Sequence, residues 1–148
     1  MLQSPDSGLI ARLRADAAPL RDSFAAAAAD PRAFAADFYH ALFELAPGVR
    51  GLFPEDLQSQ REKFAQTLAT IVGFVDDPGP LIGSLRQLGI RHRGYGTQPQ
   101  HYAPVGEALL KTLEARSEGG LSPEARQSWR RLYGWIVAEM LGGARLAP

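Results

Sequence analysis

A chain of 148 residues is long enough for one domain with a complete hydrophobic core and too short for two ordinary domains. Hydrophobic residues make up 45% of it, and 16 basic residues balance 16 acidic ones, so no overall charge favours binding to nucleic acid or to an anionic membrane. The chain has no cysteine, which excludes disulfides, thiolate metal sites and cysteine nucleophiles.

The N-terminal part of the chain lacks the pattern of a secretory signal, because no long apolar block follows a basic start. Residues 7–16 are predicted to form a short amphipathic helix, and a second helical run follows over about 19–28. We assign residues 1–18 to an N-terminal extension and residues 19–148 to one domain.

The next helix has a clear start signal. Asp30 supplies an acidic N-cap, and Pro31 occupies the first helical position, where its missing N–H is not needed. Apolar residues at helical spacing predict the buried face of this helix: Phe34, Phe38, Leu42 and Leu45. The Pro-Gly pair at 47–48 ends the helix, and a turn over 49–56 carries Phe53.

The remaining helices are separated by glycine and proline. Residues 57–75 are predicted to form the longest helix, followed by helices over 81–94 and about 101–116. The last helix begins at Ser122 and is expected to fade at the glycines 142–143. Because no segment alternates with period two, we predict one all-α domain whose unequal helices cross at steep angles rather than forming a four-helix bundle. The uncharged runs are too short and too polar to cross a bilayer, and we expect a cytoplasmic protein.

Three polar side chains stand where apolar ones are expected. His92 continues the apolar face of residues 81–94, Gln60 occupies a core-facing position of the 57–75 helix, and Tyr39 brings a phenol inward from the preceding helix. Each alone has an ordinary explanation, such as a satisfied histidine at the rim of the core or a tyrosine whose hydroxyl reaches water. Together, on three consecutive helical units, they indicate a planar, apolar cofactor with a metal centre. Haem fits this description.

Haem chemistry gives each of these side chains a role. The neutral imidazole of His92 would bind the iron on one face of the porphyrin. Its second nitrogen needs an acceptor that fixes the tautomer, and the carbonyl of Leu88, one turn earlier, is the candidate. On the other face, Gln60 and Tyr39 can donate an N–H and an O–H to dioxygen or another diatomic ligand.

Around these residues the chain resembles the single-domain bacterial globins; it is similar to the haem domains of flavohaemoglobins and, more distantly, to neuroglobin. Two stretches carry most of the resemblance, FYHALFELAPGVRGLFPEDLQSQREKFAQTL and LRQLGIRHRGYGTQPQHYAPVGEALLKTLE, and SWRRLYGWIVAEML and SFAAAAADPRAFAADFY extend it to most of residues 19–141. The resemblance implies the globin fold, a 3-on-3 helical sandwich, with haem b as the cofactor. The short extra helical segment at the N-terminus is not part of the common pattern.

The resemblance also implies roles for single residues. His92 corresponds to the proximal iron ligand, Gln60 and Tyr39 to the distal residues that reach the bound ligand, and Phe53 to the phenylalanine that stacks on haem. Phe64 falls where a smaller aliphatic residue usually lines the distal pocket, so its ring should narrow the space beside the iron. The other implied haem contacts are Lys63, which could pair with a propionate, Leu88, Tyr102 and Val105.

Two departures from the resemblance affect the expected chemistry. Several bacterial relatives link the proximal histidine to a tyrosine and a late glutamate; Tyr102 is present here, but the glutamate position falls near Ala144, and Glu139 is out of step by more than one turn. Flavohaemoglobins also continue into flavin and nicotinamide domains, so we expect this chain to need a separate reductase. The other histidines, His40 and His101, lack the apolar face of His92 and are not expected to bind metal.

Three functions are compatible with the sequence. The first is reversible, high-affinity binding of dioxygen and other diatomic ligands by ferrous haem. The second is an enzyme, a nitric oxide dioxygenase, in which a separate reductase returns the iron to the ferrous state. The third is a haem-based gas sensor or an interaction module whose helical surface relays a signal.

Overall fold

The computed structural model describes residues 7–146, which form seven α-helices with two 3-10 turns between them. The α-helices are α1 (Ser7–Ala15), α2 (Ala17–Ala27), α3 (Pro31–Leu45), α4 (Gln58–Gly73), α5 (Leu81–Gly94), α6 (Tyr102–Ala115) and α7 (Pro123–Leu146). The 3-10 turns are Pro47–Leu52 and Pro99–His101. No strand occurs within the described range, which confirms the all-α prediction.

Local sequence explains where the best-defined helices begin. The Asp30 carboxylate accepts a hydrogen bond from the backbone N–H of Ala33 at 3.2 Å, which satisfies a donor that the first turn of α3 leaves unpaired. The Ser122 hydroxyl does the same for Ala125 at the start of α7, at 3.0 Å. Both caps precede a proline at the first helical position, as the sequence predicts.

Three details of the helix predictions were wrong. The longest helix is α7, with 24 residues, rather than α4, with 16. Its glycines at 142–143 do not end it, because Gly143 is buried against α5 and the tertiary contact holds the backbone helical. Leu45 is 41% exposed instead of buried, since it lies in the last turn of α3, beyond the core.

Helices α4 and α5 each pack mainly against other helices. The largest interface joins α5 to α7, and α3 packs against both α6 and α4. In the described part of the chain, α4 and α5 make at most marginal contact with each other. The two helices that carry Gln60 and His92 are therefore held by other helices and not by one another.

The N-terminal helices are fastened to α7 and to the turn after α4. Arg131 of α7 donates two hydrogen bonds to the buried Asp16 carboxylate, at 2.7 and 2.8 Å. Arg21 binds the Asp76 carboxylate at 2.9 Å, and Leu13 is fully buried. The division at residue 18 stays a prediction, and it falls inside α2.

Residues 1–6 of the predicted extension and residues 147–148 lie outside the described residues. Within the described range, no helix combines the length and the hydropathy that crossing a membrane requires.

Candidate functional site

His92 is held by its own helix. Its Nδ1 lies 2.8 Å from the carbonyl oxygen of Leu88, one turn earlier in α5, which is the contact expected from the sequence. Because a carbonyl oxygen only accepts hydrogen bonds, Nδ1 carries the proton and Nε2 presents its lone pair. Burial lowers the pKa of His92 by disfavouring the imidazolium, although the Leu88 hydrogen bond acts in the opposite direction. The side chain is thus a neutral imidazole with a fixed tautomer, the form that binds metals.

Tyr39 and Gln60 come together from α3 and α4. Tyr39 is 3% exposed, and burial raises its pKa to about 12, so it is a neutral O–H donor at physiological pH. Hydrogen bonding with the Gln60 side chain and the positive charge of Arg61 both lower the Tyr39 pKa and so offset part of this rise. Gln60 itself is half-buried. The phenol and the amide that the sequence singles out are therefore neighbours.

A cluster of aromatic rings surrounds the Tyr39 phenol. The Tyr39 ring centroid lies 5.0 Å from that of Phe38, 5.6 Å from Phe53 and 5.7 Å from Phe64. Phe64 also stacks on Phe38, with centroids 4.0 Å apart and planes 12° from parallel. These contacts restrict the rotation of the Tyr39 ring and hold the Phe64 ring beside it. That the Phe64 ring narrows a ligand pocket stays a prediction.

Phe53 is held at the end of a tightly bonded turn. The Arg50 guanidinium donates to the carbonyl oxygens of Pro54 and Glu55, each at 3.0 Å, and lies 5.1 Å from the centre of the Phe43 ring. Phe53 packs against Phe43 with ring centroids 5.6 Å apart and is only half-buried. The turn therefore presents an aromatic ring that the protein itself does not cover completely.

The remaining predicted contacts lie on α4 and α6. Tyr102 is buried, and burial raises its pKa. Its carbonyl oxygen accepts a hydrogen bond from the hydroxyl of Tyr133, a partner that no sequence pattern indicates. Val105 is half-buried one turn later, and Lys63 is exposed on α4.

The other two histidines have different surroundings from His92. His40 is exposed and forms an ion pair with Glu44 one turn later when it is protonated. His101 accepts a hydrogen bond at Nδ1 from the backbone N–H of Gln98, at 2.9 Å, and so serves a turn. Among residues 7–146, no three histidine or acidic side chains are grouped so that they could hold a metal ion.

Glu139 has a partner that the sequence did not reveal. It is buried, and its Oε1 lies 3.3 Å from Nε of Arg86 on α5. Arg86 lies six positions before His92, so the pair joins α5 to α7 away from the imidazole. One sequence feature could have indicated this pair: Glu139 is an acidic residue within the apolar face of α7. A carboxylate buried there requires a partner.

The side chains present fit a haem group. His92, Gln60, Phe53, Phe64, Leu88 and Val105 are all half-buried, although the apolar ones among them pack against the core. The apolar side chains in this set keep part of their surface exposed at the edge of the core, and a planar apolar cofactor bound there would cover that surface. The neutral imidazole adds the donor that haem iron accepts.

Comparison with known proteins identifies the family of this chain. The globin family model matches residues 36–140. The flavohemoprotein of Bacillus subtilis (strain 168) is 29% identical over 108 residues, which cover 71% of this chain and 27% of that protein. The chain spans about a quarter of the length of the curated relatives it matches.

Solved structures show the same fold. Ferric myoglobin of Aplysia limacina superposes with a TM-score of 0.78 at 20% identity, covering 87% of this chain and 96% of that one. A bacterial globin from Campylobacter jejuni gives a TM-score of 0.75 at 18% identity, covering 88% and 94%. The fold predicted from the sequence is therefore confirmed.

Proposed function

We propose that this chain, which belongs to the globin family, binds haem through His92 and thereby binds dioxygen and other diatomic ligands reversibly. The observation that carries the proposal is the combination of an imidazole on α5, held by the Leu88 carbonyl, with a buried phenol on α3 and a neighbouring half-buried amide on α4. Within residues 7–146, α4 and α5 make at most marginal contact with each other, so Gln60 and His92 are positioned by separate helix interfaces.

Haem b, when bound, supplies an iron that takes one protein ligand and one diatomic ligand. On the protein side, His92 would coordinate through Nε2, and the Leu88 carbonyl would keep the ring in the tautomer that allows it. Phe53, Tyr102 and Val105 would cover the porphyrin with apolar surface. Lys63, exposed on α4, would be available to a propionate.

Tyr39 and Gln60 would stabilise a ligand that carries partial negative charge, as dioxygen does on ferrous haem. A neutral phenol donates one hydrogen bond and an amide donates another, each worth on the order of 1–2 kcal/mol in a dry pocket. Since these hydrogen bonds stabilise the bound ligand and not a ligand free in solution, they would slow its dissociation and raise the affinity. The Tyr39 proton would remain in place at physiological pH because its pKa is about 12.

Optical spectroscopy of the purified protein supplied with haem tests this proposal. We expect a strong Soret band whose position differs between ferric, ligand-free ferrous and dioxygen-exposed forms. His92→Ala should lose this band or shift it, whereas the exposed-site control His40→Ala should match the wild type. A wild-type protein that takes up no haem, or a His92→Ala variant with unchanged spectra, would contradict the proposal.

The similarity to a flavohemoprotein favours a second candidate, a nitric oxide dioxygenase. In this reaction nitric oxide, dioxygen and one electron from a separate reductase would combine to give nitrate, with bound haem supplying the redox chemistry. With NADH and such a reductase, nitric oxide consumption should continue over many equivalents; without the reductase it should stop after about one. Consumption that stops after one equivalent in both cases would exclude this activity.

A further inference from the structure

Helices α5 and α7 touch through their backbones. A Cβ atom placed on Gly89 would lie 1.9 Å from the carbonyl oxygen of Met140, and one placed on Gly143 would lie 2.2 Å from the carbonyl oxygen of Arg86. No side chain fits at either distance, so each glycine is required by the approach of the other helix. The two contacts lie on opposite helices and are reciprocal: a glycine of each faces the backbone of the other.

Two side-chain links accompany this contact on α5. At Arg86, whose backbone faces Gly143, Nε lies 3.3 Å from the Glu139 carboxylate. Beyond Gly89, Nη1 of Arg93 donates to the carbonyl oxygen of Ala144 at 2.8 Å. Arg93 is the neighbour of His92, so the contact with α7 fastens α5 up to the imidazole.

The close approach is confined to Gly89 and Gly143 and does not extend to the other glycines of α5 and α7. Gly83 on α5 and Gly142 on α7 have open space where a Cβ would stand. Within the described residues, α7 provides the only extensive helix packing for α5. The position of His92 relative to α3 and α4 is therefore transmitted through α7.

We propose that Gly89 and Gly143 are positioning residues for His92: they let α5 lie against the α7 backbone at the depth that presents Nε2 to the haem iron. This rests on the proposed haem binding through His92. A methyl group at either position pushes α5 away from α7, because backbone atoms cannot yield as a flexible side chain can. The imidazole moves with the helix, and its bond to the iron changes.

The test compares Gly89→Ala and Gly143→Ala with the matched controls Gly83→Ala and Gly142→Ala, all as haem-loaded proteins. Resonance Raman spectroscopy of the ligand-free ferrous form reports the iron–histidine stretching band. We expect the band to shift in the two test variants, with haem lost about tenfold faster, equivalent to ~1.4 kcal/mol. The controls should match the wild type in both measurements. Equal spectra and equal haem-loss rates in all five proteins would overturn the proposal.

Supplying the iron ligand as free imidazole distinguishes a shift of α5 from a disturbance of the whole haem pocket. In a His92→Gly background supplied with imidazole, the iron ligand is no longer joined to α5, so Gly143→Ala should leave the iron–imidazole band unchanged. A shift of the same size in this background would show that the whole pocket is disturbed and would overturn the proposal.

Circular dichroism checks that each variant is folded. If both alanine variants unfold, Arg93→Lys replaces them, because it keeps the charge but alters the link to Ala144. A band shift is then expected in the protein that retains His92 and not in the His92→Gly background. Absence of haem in the wild type would instead refute the proposed function itself.

Discussion

The Nδ1 atom of His92 and the carbonyl oxygen of Leu88 lie 2.8 Å apart within a single turn of α5. This bond requires no tertiary contact, because residues four apart in a helix lie one above the other. It settles which ring nitrogen carries the proton, and burial keeps the ring neutral by lowering its pKa. What the bond does not settle is where the ring stands relative to Tyr39 and Gln60, since that depends on how α5 is held.

Removing the Tyr39 hydroxyl should release dioxygen faster. The phenol is buried and neutral, and losing one hydrogen bond of about 1.4 kcal/mol corresponds to a tenfold change in a rate or equilibrium constant. Tyr39→Phe is therefore expected to raise the dioxygen dissociation rate by about tenfold or more, measured by stopped-flow displacement with carbon monoxide. Thr70→Val, which removes an exposed hydroxyl near the end of α4, is the control. An unchanged rate in Tyr39→Phe would remove the phenol from the ligand site.

Replacing Phe64 with leucine should affect both stability and access. The ring stacks on Phe38 at 4.0 Å, so its loss is expected to lower the free energy of unfolding by about 1–2 kcal/mol. If the ring also narrows the space beside the iron, carbon monoxide should associate faster with Phe64→Leu after flash photolysis. Phe74→Leu, at a phenylalanine that is 43% exposed, should change neither quantity. A stability loss without a faster association would assign Phe64 to the core alone.

Asp16 should make stability depend on pH in the acidic range. Its pKa is lowered, chiefly by hydrogen bonds from Arg131, and a carboxyl group with a lowered folded-state pKa stabilises the fold above its unfolded pKa of about 4. That contribution is lost as the pH falls through the folded-state pKa. Asp16→Asn should therefore lower the free energy of unfolding at pH 7 and flatten its decline below about pH 4. Urea unfolding across this range measures both effects, and Asp77→Asn, at an exposed position, should leave the decline as it is in the wild type.

Removing Arg86 from its pair with Glu139 should lower the free energy of unfolding more than breaking a surface ion pair does. Glu139 is 6% exposed at its side chain and Arg86 is 49% exposed, so removing the arginine leaves a buried carboxylate without its cation. Arg86→Gln is expected to cost about 1–3 kcal/mol of unfolding free energy. The exposed pair His40–Glu44 provides the comparison, and Glu44→Gln should cost less than about 1 kcal/mol. Equal and small losses in chemical denaturation would mean that the buried pair contributes no more than a surface one.

The amino-acid sequence by itself determined the features that depend on neighbours along the chain. Asp30 and Ser122 cap helices because their side chains reach a backbone N–H three residues ahead, and Pro31 and Pro123 fit the first helical position. The link from His92 to Leu88 is local in the same way. Helical spacing of apolar residues along the chain gave the all-α class, and the resemblance of residues around Tyr39 and His92 to globins supplied the globin fold, which the comparisons confirm.

Only the tertiary structure decided how these local pieces are held. The glycines at 142–143 looked like a helix end, yet α7 continues through them because Gly143 lies against the Arg86 backbone. Glu139 found its cation 53 positions away, and Leu45 stayed partly in solvent because the core ends before it. A sequence pattern reports which side of a helix is apolar; how closely two helices approach is set by the atoms of both, and no single segment contains that information.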